Sequence, residues 1–146
     1  MVKKTATPKS QKATVKTMQC KQIAQPIGPY SCGKVISQPG QGTWGYSFGQ
    51  IGMHPKTGDL DGKKPGVQAR RALTNLRLLA RSNGFDLEKH TVKTTVFLVD
   101  MADFAEVNVE YAKFFKGKEV PPRSCVAVKQ LPKNALFEIE AVFFKP

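Results

Sequence analysis

An α+β fold, one mixed sheet with two helices packed on one of its faces, is what this sequence predicts, and three observations carry the prediction. The run TVKTTVFLV at 91–99 is β-branched and nearly continuous, the pattern of a strand buried on at least one face. Segments of helical periodicity flank it on both sides. Beyond them lie strand-like runs separated by Pro- and Gly-rich turns, in a chain of 146 residues that suits one domain.

Taken in order, IGPY at 27–30 reads as a turn, because Gly28 and Pro29 punctuate it. QPGQGTWG at 38–45 reads as a surface loop, and it lacks the GK[ST] ending of a phosphate-binding loop. A strand is expected at 46–53, then a tight turn over HPKTGD at 54–59. Between 65 and 83, Val67, Ala69, Leu73, Leu76 and Ala80 make one apolar stripe of an amphipathic helix, with Pro65 in its first turn and Gly84 after its end. Its arginines suit a solvated face better than an RNA-binding patch. A second helix is expected at about 101–115, capped by Asp100 or Asp103, with Phe104, Val107, Tyr111 and Phe114 on its apolar side. Pro121 and Pro122 break the chain, and two strands follow at 123–129 and 136–144, joined by the turn LPKN.

The net charge of +12 is unevenly spread. Residues 1–22 carry six lysines and no acid, half of the excess, on a Thr/Ser/Gln-rich stretch with little to bury. This predicts a flexible basic arm at 1–22 and a folded domain at 23–146, with weak, non-specific nucleic-acid binding or organelle targeting as uses for the arm. No apolar run spans a bilayer and no secretory signal precedes the domain, so a cytoplasmic protein without membrane partners is expected. Cys20, Cys32 and Cys125 form no CxxC pair, and His54 and His90 lie far apart. Neither a disulfide framework nor a metal site is expected, and no cofactor.

Arg123 is the first candidate for chemistry. It begins a strand directly after two prolines, and its guanidinium fork can take a carboxylate bidentately. Strand position alone favours a surface or salt-bridging arginine. Alternation puts Cys125 on the same face as Arg123. It also puts Glu138 and Glu140 opposite the apolar residues Phe137, Ile139, Ala141 and Phe143. A partly desolvated Glu138 would trade protons near neutrality, whereas a solvent-facing glutamate would not. Cys125 lacks a sequence-local activating partner and reads as a packed or substrate-lining thiol. Tyr30 and Asn108, a turn tyrosine and a helix asparagine, are unremarkable by themselves.

Four segments give a family resemblance: IGPY at 27–30, FGQIGMHPKTGDL at 48–60, VKTTVFLVDMADFAEVNVEY at 92–111 and PPRSCVAVKQLPKNALFEIEA at 121–141. Together they resemble the RidA (reactive intermediate deaminase A, YjgF-like) family over roughly 23–146. The resemblance implies a chorismate-mutase-like α+β fold, a homotrimer with active sites between subunits, and metal-independent deamination. The implied substrates are short 2-imino acids such as 2-iminobutanoate and 2-iminopropanoate, released by serine/threonine dehydratases, and the products are 2-keto acids and ammonia. By the same resemblance Arg123 grips the substrate carboxylate and Glu138 positions or activates water. Tyr30, Gly49, Asn108 and Cys125 then line the pocket, Gly49 through its backbone.

The sequence departs from the family pattern at Phe48, where many members carry Ser or Thr. It is also longer over 35–45 and shorter between 115 and 121. Two other activities stay open at this point: an RNA-directed translation inhibitor or ribonuclease, and a small-ligand-binding regulator without turnover.

Overall fold

The computed structural model describes residues 12–117 and 119–146. One seven-stranded sheet organises it. The strands are β1 (Thr14–Thr17), β2 (Gly33–Gln38), β3 (Gly42–Ser47), β4 (Gln50–Ile51), β5 (Thr91–Leu98), β6 (Arg123–Ala127) and β7 (Phe137–Lys145). Their spatial order is β1-β2-β3-β7-β5-β6, with β4 also on β7. Every pairing is antiparallel except that of β5 with β6, whose connection runs through a helix as parallel pairing requires. The helices are α1 (Pro65–Ser82), the single turn α2 (Leu87–His90) and α3 (Phe104–Tyr111).

The core follows from alternation meeting helical period. On β7, Phe137, Ile139, Ala141 and Phe143 are buried, and Glu138, Glu140, Val142 and Phe144 face the other way. Against the buried row lie Ala69, Ala72, Leu73, Leu76, Leu79 and Ala80 of α1, all fully buried. Each large side chain removed from water in this layer contributes roughly 1.5–3 kcal/mol. Both long helices sit on this one face, as expected. Among the described residues no helix covers the opposite face of the sheet; one end of it packs against the small cluster of Ile51, Leu131 and Ala135, and the rest exposes Val15, Trp44, Tyr46 and Val126.

Four expectations need correction. The basic arm is shorter than 1–22: Thr14–Thr17 pairs with β2 at the sheet edge, and Met18 and Cys20 are buried. All four side chains of β1 are exposed, so backbone pairing holds it and no apolar pattern betrays it. The remainder of the arm, 1–11, lies outside the described residues.

The Gly-rich loop is a hairpin between β2 and β3, and only its centre turns. Gly45 belongs to the strand, where a β-carbon would press on the Phe85 ring, so this glycine marks close packing and not a loop.

The expected strand at 46–53 is two pieces. Tyr46 pairs with Val142 but Gln50 with Ile139, a register one residue out of step, so the chain bulges at 47–49. Ser47 Oγ fills the gap by accepting from the Ala141 N–H at 2.9 Å.

The second helix is also briefer than 101–115. A 3-10 turn at Met101–Asp103, capped by the Asp100 carboxylate, feeds α3, which ends at Tyr111. Among the described residues no helix is long and apolar enough to cross a membrane.

Candidate active site

The expected site residues fall into two groups on opposite faces of the sheet. Arg123 opens β6 beside Thr94, a fully buried residue of the helix-covered face, and shares that face. Glu138 lies beside Phe97, which is on the uncovered face. From the register, their α-carbons are roughly 14 Å apart, three residues along and two strands across. One chain therefore does not bring these two side chains to one point.

The first group surrounds the guanidinium. Arg123 Nη2 donates to Asn108 Oδ1 at 2.7 Å. Its Cζ lies 4.5 Å from the centroid of the Tyr111 ring and 5.3 Å from that of Phe104. Phe104, Asn108 and Tyr111 are spaced i, i+4, i+7 and so form one stripe of α3. Thr94 fixes the tyrosine through a 2.8 Å hydrogen bond between the two hydroxyls. Burial raises the Tyr111 pKa, against the lowering effects of Thr94 and Arg123.

Among the described residues no carboxylate lies within salt-bridge range of Arg123; the ion pairs there are Arg70–Glu110, Arg71–Asp61 and Lys113–Glu110. A half-buried guanidinium, clamped by an amide and two rings and lacking an acid, is a ready receptor for a carboxylate. Cys125 is half-buried on the same face, and burial pushes its thiol up, with Arg123 only partly opposing. It packs against the main core and is a poor nucleophile.

The second group forms a cleft of about 300 Å³ lined by Ile27, Tyr30, Phe48, Gly49, Ile51, Met53, Pro132 and Glu138. The bulge builds it, because β4 resumes against β7 at Glu138 and throws Phe48 and Gly49 off the ladder above that carboxylate. A β-carbon on Gly49 would overlap the Glu138 carboxylate, so glycine is what lets the acid lie against this backbone. Burial raises the Glu138 carboxyl above its ordinary value, and the charge of Glu140 adds to the rise. Ile51 and Met53 belong to a small second core with Leu131 and Ala135, which keeps the cleft floor rigid.

Tyr30, Gly49 and Glu138 thus meet in one place, and Arg123, Asn108 and Cys125 in another. Sequence reasoning put Tyr111 and Phe104 in the helix core and passed over Thr94; the spacing of both rings from Asn108 was the available signal. A larger open groove of about 630 Å³ lies near the Pro39–Gly40 turn, but no Asp or Glu among the described residues lines it and it is remote from both groups. His54 and His90 are tied into turns, each Nδ1 accepting from a nearby backbone N–H. No group of three metal-binding side chains occurs among the described residues.

Comparison with known proteins identifies the family. The family model described as endoribonuclease L-PSP matches residues 20–144. A RutC family protein of Synechocystis is 41% identical over 134 residues, covering 91% of this chain and 98% of the relative. The 2-iminobutanoate/2-iminopropanoate deaminase of Escherichia coli K12 is 38% identical over 129 residues, covering 87% and 95%. A solved structure from Yersinia pestis, described as a protein of unknown function of the conserved Rid protein family, superposes with a TM-score of 0.80. It is 36% identical, and the match covers 90% of this chain and 100% of that one. With fold and sequence shared along almost its whole length, this chain belongs to the RidA (YjgF-like) family.

Proposed function

We propose that this protein is an imine deaminase that hydrolyses short 2-imino acids to 2-keto acids and ammonia, in sites shared between copies of a homotrimer. The observation that carries the reading is Arg123, a guanidinium oriented by Asn108 and Tyr111 with no protein carboxylate near it among the described residues. A related enzyme 38% identical to this chain is named for that reaction.

The assembly follows from the separation of the two groups. Arg123 stands on an edge strand, and among the described residues no helix covers the sheet face carrying Glu138. Placing the β6 edge of one copy over the open face of the next brings a guanidinium to the Glu138 cleft and covers exposed apolar residues such as Trp44, Tyr46 and Val126. Cyclic closure of that head-to-tail contact gives a ring, and three is the number implied by the family resemblance.

The chemistry needs little from the protein beyond placement. Arg123 holds the substrate carboxylate, and the adjacent iminium carbon is already electrophilic. Glu138 accepts a proton from water as its oxygen adds to that carbon, giving a carbinolamine. Glu138 then returns the proton to the nitrogen; as the C–N bond breaks, the carbinol hydroxyl gives its own proton to Glu138, the departing ammonia takes it up as ammonium, and the 2-keto acid remains. A carboxyl whose pKa is raised by burial is suited to these transfers, and such acid–base help is worth on the order of 10²–10⁴-fold.

The test is to generate 2-iminobutanoate with a threonine dehydratase and follow its loss with and without this protein. The Arg123→Ala variant should remain folded and lose at least about tenfold in kcat/KM, with most of the loss in KM. An undiminished kcat/KM in that variant would remove the anchor and the reading with it. Sedimentation of an active monomer would remove the shared site.

A further inference from the structure

We propose that Phe48 makes the Glu138 cleft a selector for apolar substrate side chains, so that 2-imino acids with aliphatic or thioether side chains are preferred and their polar isosteres rejected. The inference rests on the deaminase reading and adds to it the class of side chain accepted.

The cleft's walls are Ile27, Ile51, Met53 and Pro132, closed by the rings of Tyr30 and Phe48. Those two rings stand 6.1 Å apart at 44° and form an aromatic corner. The bulge fixes Phe48 there: its N–H donates to the Cys32 carbonyl at 3.0 Å, and its side chain packs against the main core. Phe48 is thus held as a packed wall of the cleft.

Polar groups in the cleft are few. Glu138 is engaged in proton transfer, Gly49 offers only backbone, and Tyr30 carries its hydroxyl at the half-exposed rim. A serine or threonine at position 48 would add a hydroxyl at the bulge, whereas Phe48 removes that partner and extends the apolar wall. An amide or hydroxyl on the substrate side chain would leave water without a replacement hydrogen bond, which costs binding in the transition state. Space is no obstacle, since about 300 Å³ equals the liquid volume of roughly ten waters and admits an unbranched side chain beside the attacking water.

Methionine and glutamine give a matched pair, similar in length and different in polarity. Their imines, and those of leucine and asparagine, can be made in situ with an L-amino-acid oxidase, and the surviving imine trapped with semicarbazide. In the wild-type protein kcat/KM for the methionine-derived imine should exceed that for the glutamine-derived imine by about tenfold or more. Phe48→Ser should cut this ratio to within about threefold of unity, and Phe48→Leu, which keeps an apolar wall, should retain most of it. Circular dichroism and sedimentation would establish that both variants fold and assemble. Equal rates on the two imines, or a ratio indifferent to Phe48→Ser in a folded protein, would overturn the selector while leaving the deaminase standing. Failure to accelerate loss of any imine, 2-iminobutanoate included, would overturn the deaminase reading and the selector together.

Discussion

A single methyl group at Gly49 tests the catalytic cleft more sharply than removal of the acid itself. Gly49 does not have a left-handed φ, so alanine fits its backbone without strain. The added carbon would, however, overlap the Glu138 carboxylate. The obstructing atoms are the far end of a flexible side chain, so the cheapest relief is for Glu138 to rotate away. A change of this kind costs about 0.5–1.5 kcal/mol where the new rotamer is imperfect. Stability should therefore fall by no more than about 1.5 kcal/mol in a urea titration.

Catalysis should fall much further. If Glu138 provides acid–base help of the usual size, its displacement costs about 10²–10⁴ in kcat, or roughly 3–5 kcal/mol of barrier. The assay is turnover of dehydratase-generated 2-iminobutanoate, measured for Gly49→Ala, Glu138→Gln and the double variant. Because both changes disable one group, the double variant should be hardly slower than Glu138→Gln alone. Retention of a third or more of wild-type kcat in Gly49→Ala would refute the reasoning. So would multiplied losses in the double variant, since the methyl would then be acting on something other than Glu138.

Two further predictions concern the fold and its pH dependence. The Glu138 carboxyl is raised in the folded chain above its unfolded value of about 4.3, so the fold favours its protonated form and loses stability as pH rises from that value through the raised one. Glu138→Gln should accordingly be more stable than wild type to urea at pH 7, with the gap shrinking by pH 4. A variant less stable than wild type at pH 7 would contradict the buried-acid reading. Phe137→Ala removes a fully buried ring from the centre of β7 and should cost about 3–5 kcal/mol by the same titration, far beyond any surface change; a loss below about 1 kcal/mol would mean the layer repacks.

Much of this architecture was legible because two periodicities were intact. TVKTTVFLV and LFEIEAVFF announce strands, and the stripe Ala69, Leu73, Leu76 and Ala80 announces the helix that covers them. Three of the failures share a physical cause: backbone pairing or close packing that leaves no side-chain pattern. β1 is held by ladder hydrogen bonds with all four side chains in water. Gly45 looks like a loop residue but is a strand residue pressed under Phe85. The bulge at 47–49 is a count of one residue between two pairings, and no residue type spells it out.

The same distinction governs the site. Alternation within a strand correctly grouped Arg123 with Cys125 and Glu138 with Glu140, but alternation cannot compare faces between strands. That comparison needs the register, and the register is decisive. Thr94 lies beside Arg123 and Phe97 beside Glu138. Those two β5 residues are an odd number apart, so the guanidinium and the carboxylate point to opposite faces whatever rotamers they adopt. A slip of β6 by one residue would have put both on one face and made a monomeric site conceivable. The hydrogen bond from Arg123 to Asn108 on the helix layer shows the register as it stands. If these two residues do act on one substrate, the anchor and the acid must come from different copies. Loss of activity on dilution should then track dissociation of the assembly and not unfolding of the chain.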